Sequence, residues 1–180
     1  GKQPAGPDGM PPLPPMPGMG PREPESTETD RARSAEDDSP PTMPIEDITR
    51  DMMDNYIKNV AQEAGELARL GFDIISMHCC YRHSPHARFL SPLTNHRTDE
   101  YGGSLENRLR FATDIVKAIK REAGADFPVS LRYSVVSKTK DFFQGAVPGE
   151  EFKEFGRDMA ESERAVKILE EAGYDMLNCD

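Results

Sequence analysis

The densest chemistry in this 180-residue sequence lies where an apolar run, Phe72 to Met77, stops abruptly at His78, Cys79, Cys80, Tyr81, Arg82 and His83. An imidazole changes charge near neutral pH and so can move protons. A phenol donates a hydrogen bond about as readily. A second run, FPVSLRYSVV at 127–136, carries Arg132 near its C-terminal end. From residue types alone each also has a plain reading: His78 as a structural histidine, Tyr81 as a pocket wall, His83 and His86 as solvated loop residues, Arg132 as half of a loop-end salt bridge. Cys79 and Cys80 read as small packing residues, since nothing nearby marks a thiolate.

Such groups need elements to hold them. Phe72–Met77 predicts a buried strand that delivers polar side chains at its end. A long polar segment follows, with Pro92, Asn95, Asp99, Gly102 and Gly103 opposing regular structure, until Ser104 opens a helix reaching about Ala123 and closing at Gly124. Before the strand, Ile45, Ile48, Met52, Tyr56, Val60, Ala64 and Leu67 recur at three- and four-residue steps. They predict an amphipathic helix with Thr42 as cap, Pro44 in its first turn and Gly71 after its end. A strand at about 128–135, a loop from Lys138 to Phe155, a helix at about 159–172 ending at Gly173, and a strand at 174–179 complete the pattern.

The echo between LARLGFDIISMH (67–78) and LEEAGYDMLNCD (169–180), and strand starts about 50 residues apart, describe parallel β/α units with helices outside. Reacting groups then collect at the strand ends: His78 to His83, Arg132, Cys179 and Asp180. A doubly wound nucleotide-binding sheet would carry GxGxxG or GxxxxGKS after a strand, and neither occurs.

The segment FLSPLTNHRTDEYGGSLENRLRF resembles the old yellow enzyme and NADH:flavin oxidoreductase family, which includes 2-enoate and 2,4-dienoyl-CoA reductases. The resemblance covers Met43 to Asp180. It implies a partial (β/α)8 TIM barrel, about three βα units matching strands four to six, with residues 43–180 as the oxidoreductase domain and 1–42 as an irregular Pro-rich, acidic segment. It also implies FMN as cofactor, NADH or NADPH as reductant, and an activated alkene such as an enone or enoyl-CoA as small-molecule substrate. Family members hold the substrate's oxygen with a pair of donors three residues apart, which match His78 and Tyr81. They place a proton source two residues further on, by forward count His83. One extra residue separates His78 from Phe89 relative to the usual spacing. Arg132 matches the arginine beside the flavin's pyrimidine edge, and Asn95, Arg97, Asp99, Tyr101, Asn107 and Arg108 match architectural positions. The phosphate site, and in larger members an iron–sulfur cluster and an FAD-type dinucleotide domain, belong to regions beyond this chain, which reads as an interior fragment.

Composition narrows the remaining classes. A barrel of this type usually needs roughly 250 residues. The formal net charge of −10 argues against a nucleic-acid surface. Three cysteines without paired CxxC spacing predict no metal site and suit a reducing cytoplasm. No apolar run is long enough for a membrane span and no signal sequence is visible, so the expected location is cytoplasmic. The alternative reading is a non-catalytic fragment acting through its Pro-rich segment, GKQPAGPDGMPPLPPMPGMGP.

Overall fold

The computed structural model describes residues 43–80, 84–141 and 144–179. Thr42, Tyr81, Arg82, His83, Asp180 and the whole Pro-rich segment lie outside the described residues.

The first amphipathic helix, α1 (Arg50–Arg69), begins later than its apolar spacing suggests. Ile45–Asp47 instead form a single 3-10 turn, and Ile48 is extended. Arg97 braces this turn, its guanidinium donating to the carbonyls of Ile45 and Ile48, both at 2.7 Å. The Ile45 carbonyl also accepts the Ile48 N–H at 3.3 Å, so the turn closes on itself before α1 begins. Thr49 then caps α1 by accepting the Met52 N–H at 3.3 Å.

Strand β1 (Ile75–Cys79) is shifted by about three residues from the Phe72–Met77 expectation. Phe72 is still tied to the helix end, its N–H donating to the Leu67 carbonyl at 3.1 Å. His78 therefore lies inside the strand rather than just after it. A short helix, α2 (Pro85–Leu90), occupies part of the segment read as loop. Ser84 caps it and Pro85 starts it, but six residues are too few to show a helical period.

Helix α3 (Leu105–Ala123) follows with Ser104 as cap, then strand β2 (Val129–Tyr133). The expected loop after β2 holds a small antiparallel pair, β3 (Thr139–Asp141) with β4 (Gln144–Gly145). Helix α4 (Met159–Ala172) is capped by Asp158. It turns at Gly173, whose φ of 120° is one that side-chain-bearing residues rarely adopt, into strand β5 (Met176–Cys179).

The sheet order is β1–β2–β5, and both pairings are parallel as the alternating pattern predicts. Each crossover runs through helix. Val129, Leu131 and Tyr133 of β2, with Cys79 of β1, enter one core with Leu109, Ile115, Val116 and Ile119 of α3 and Leu169 of α4. Ile75, Met77 and Leu177 pack against the same core. Strand side chains alternate, so Ser76 and His78, Ser130 and Arg132, and Met176 and Asn178 occupy the opposite face.

The segment from Phe89 to Arg108 is held by its own polar groups. The buried Asn95 carboxamide donates to the carbonyls of Phe89 (2.6 Å) and Tyr101 (2.8 Å). Arg97 also pairs with Asp99. The buried Arg108 donates to the carbonyls of Leu90 and Gly103 and pairs with Glu161 of α4 at 2.6 Å. Ser91 donates to the buried Glu154 carboxylate, tying this segment to the loop before α4. The architectural role expected for these positions is the one they fill.

Candidate active site

The C-terminal ends of parallel strands gather their outward groups into one row. Here the register sets His78 opposite Arg132 and Arg132 opposite Asn178, all on the face turned away from the helices. His78 and Asn178 are exposed and Arg132 is half-buried. The row combines an imidazole, a guanidinium and a carboxamide. Such a set presents one fixed positive charge and several hydrogen-bond donors to anything seated over it.

His78 and Arg132 were legible in the sequence as candidates, and Asn178 was not. The internal echo aligns His78 with Asp180, whereas the hydrogen-bond register places the third member two residues earlier. The stagger of successive strands, invisible in a repeat, accounts for the offset. Tyr81 and His83, the other two candidates, lie outside the described residues. β1 ends at Cys79 and Cys80 lies in a bend, so the regular alternation of the strand stops before Tyr81 is reached.

His86 is a correction. Read as a solvated loop residue, it is instead 4% exposed at the start of α2, and neither of its ring nitrogens has a hydrogen-bond partner. Burial lowers its pKa to about 4. The His78 backbone opposes that shift while the His78 ring adds to it. Nothing in the spacing distinguished His86 from its exposed neighbours, because α2 is too short to declare a buried face.

Cys79 is buried, and burial pushes its thiol up to about 12, with the Arg157 charge opposing the shift. It is a packing residue with no accessible thiolate at neutral pH. Arg157 itself is buried, stacks over the Tyr133 ring at 5.8 Å and donates to the Ser134 carbonyl at 2.6 Å. No group of three or more potential metal ligands occurs among the described residues. No described helix is long and apolar enough to cross a membrane.

The three strands form a parallel α/β sheet with a polar row near the strand ends, and comparison with known proteins makes the class specific. The profile of the NADH:flavin oxidoreductase / NADH oxidase family matches residues 13–176, and the chain belongs to this family. Cinnamate reductase of Clostridium sporogenes is 46% identical over 140 residues, a match covering 78% of this chain and 21% of that protein. NADPH dehydrogenase of Bacillus velezensis is 34% identical over 133 residues, covering 74% of this chain and 34% of that one. Among solved structures, the old yellow enzyme homologue of Zymomonas mobilis aligns with a TM-score of 0.54 at 25% identity, covering 72% of this chain and 33% of that chain. The present chain thus spans 21% to 34% of the length of these two relatives.

Flavin with a nicotinamide reductant is the chemistry of this family. The row fits one end of such a cofactor. A guanidinium suits the pyrimidine edge, which gains negative charge on reduction, and the neighbouring donors suit carbonyl oxygens.

Proposed function

We propose that this chain is the substrate-facing part of an ene-reductase-type oxidoreductase, corresponding to strands four to six of an eight-stranded barrel within a longer polypeptide. The reaction is hydride transfer from NADH or NADPH, by way of FMN, to an activated C=C bond such as that of an enone or enoyl-CoA. The observation that carries this reading is the register row His78–Arg132–Asn178, on the open face of a parallel sheet in a flavin oxidoreductase family.

FMN, when bound, supplies the hydride. Arg132 would hold a permanent cation beside its pyrimidine edge. His78 and Tyr81 donate to the substrate's carbonyl oxygen, polarising the double bond and stabilising the negative charge that grows there. Each such donor is worth about 3 kcal/mol, on the order of 10² in rate. His83 gives the proton to the α-carbon. With β1 ending at Cys79, the chain can aim His78 and Tyr81 at one oxygen, which two residues i and i+3 on a continuous strand could not do.

The test is stopped-flow measurement of the two half-reactions in the complete protein. Tyr81→Phe should slow flavin reoxidation by an enone on the order of 10²-fold while leaving reduction by the nicotinamide nearly unchanged. Equal loss in both steps, or none in either, would remove Tyr81 from the donor pair.

A further inference from the structure

We propose that Arg157 is a positioning residue for Arg132: it grips the main chain where β2 ends and thereby sets the direction in which the Arg132 side chain leaves the sheet. Its effect on flavin rests on the reading of Arg132 given above; the grip itself does not.

One segment, residues 154–162, holds the chain as it leaves β2. The Arg157 guanidinium donates to the Ser134 carbonyl at 2.6 Å, the Ser162 hydroxyl donates to the Val135 carbonyl, and the Glu154 N–H donates to the Ser137 carbonyl at 3.3 Å. The last side chain of β2 is held by the same segment. The Arg157 guanidinium lies over the Tyr133 ring, 5.8 Å from its centre, and the Tyr133 hydroxyl donates to Ser162 at 3.4 Å. Successive side chains of a strand leave opposite faces, so fixing Tyr133 on the core side fixes Arg132 on the other.

The gripping segment is itself anchored. Gly156, with a φ of 72°, closes a turn in which the Arg157 N–H donates to the Glu154 carbonyl at 3.1 Å. The Glu154 carboxylate accepts from Ser91, and Glu161 pairs with Arg108 at 2.6 Å, which fastens both sides of the turn to the polar segment between Phe89 and Arg108. Within the turn the usual order of burial is reversed: Phe155 is 87% exposed, whereas Glu154 and Arg157 are 3% and 4% exposed. Hydrophobic burial would choose the opposite arrangement, and a charge turned inward is costly unless hydrogen bonds meet it there. The bonds that Glu154 and Arg157 make are therefore what the turn is built around.

The experiment uses the complete protein. Guanidinium 15N–1H spectra should show Arg157 with slowed rotation and solvent-protected Nη hydrogens, and a freely rotating, exchanging group would overturn the grip. FMN dissociation constants then form a double-mutant cycle with Arg132→Ala. Arg157→Met should weaken FMN binding on the order of 10-fold in the parent, a part of what a hydrogen bond to a charged group is worth, yet by less than about twofold in the Arg132→Ala background. Arg157→Lys, which keeps the charge and a donor for Ser134 but not the planar fork, should recover part of that loss. Equal losses in both backgrounds would overturn the inference, because they would mark a general structural effect or the direct field of the charge, not alignment of Arg132. Should the Met variant fail to fold, Ser162→Ala, which releases the Val135 carbonyl, carries the same cycle. An Arg132→Ala protein that binds FMN as the parent does would overturn the flavin reading of Arg132, and the guanidinium spectrum would then decide the grip alone.

Discussion

His78 and Arg132 face each other across the parallel β1–β2 pairing, one residue before each strand ends. Neither position is set by local propensity. The pairing follows from the core on the other side of the sheet, where Cys79 and Tyr133 are drawn toward the helices and thereby turn their predecessors outward. A slip of one residue would turn both candidate side chains inward and expose two core ones, so the same packing that folds the sheet aligns the proposed site.

Arg132 gives the first prediction. Its cation is proposed to stabilise reduced flavin, and a hydrogen bond to a charged group is worth about 1.5–3 kcal/mol. For a two-electron couple that is roughly 30–60 mV. Arg132→Ala in the complete protein should lower the flavin potential by that amount or weaken FMN retention, and Arg132→Lys should restore part of the effect. Dye-coupled redox titration and flavin content after gel filtration measure both. Unchanged potential and occupancy would place Arg132 outside the site.

Arg108 gives the second. With Glu161 it forms a buried ion pair bridging α3 and α4, and it also satisfies the Leu90 and Gly103 carbonyls. Removing one partner of such a pair leaves the other charge uncompensated and costs about 3–5 kcal/mol. Arg108→Met should lower the urea midpoint accordingly, and adding Glu161→Gln should recover part of the loss. Additive losses in the double variant would mean that the pair is not coupled.

Much of this framework was legible in the sequence. Long periodic segments announced α1, α3 and α4, and Gly71, Gly124 and Gly173 marked their ends, all at positive φ. The polar motif announced its own architecture, since Asn95, Arg97 and Arg108 bond the backbone of nearby segments. Three features were hidden for physical reasons. The segment before α1 is braced by a residue about 50 positions away, Arg97, which donates to the carbonyls of Ile45 and Ile48. Helix α2 is one and a half turns long, shorter than any period can report. Asn178 depends on strand stagger, which is a property of the assembled sheet.

Neighbouring glycines in the motif provide a third prediction, because they serve different needs. A Cβ on Gly102 would lie 2.0 Å from the Arg97 carbonyl oxygen, whereas Gly103 has open space but a φ of +82°. Gly102→Ala must displace backbone and should cost about 3 kcal/mol or more. Gly103→Ala meets only the left-handed backbone penalty, about 1–2 kcal/mol. Denaturant unfolding of the two variants should rank them in that order, and a reversed ranking would show that the Arg97 turn yields more easily than the structure implies.

The last prediction is an acid-side loss of stability carried by His86. Burial holds its folded pKa at about 4, against an ordinary value of 6.5. Above about pH 6.5 the ring is neutral in both folded and unfolded chains and contributes no pH dependence. As pH falls below that value the unfolded chain takes up a proton that the folded one refuses, so the unfolded state binds more protons and stability drops. The loss grows until the folded ring also protonates near pH 4, and then levels off. A gap of this size corresponds to about 3 kcal/mol in full, of which roughly 2 kcal/mol is reached by pH 5. Asp99 does not confuse the window, because its hydrogen bond from Arg97 holds it below the usual 3.8 and its contribution fades only at lower pH. Urea midpoints at about pH 7.5 and about pH 5 should therefore separate strongly for the parent protein. His86→Gln, which cannot titrate, should show a smaller separation by about that 2 kcal/mol. Parallel curves for the two proteins would mean that the His86 ring charges in the folded state as easily as in water, and that it is not enclosed by the fold.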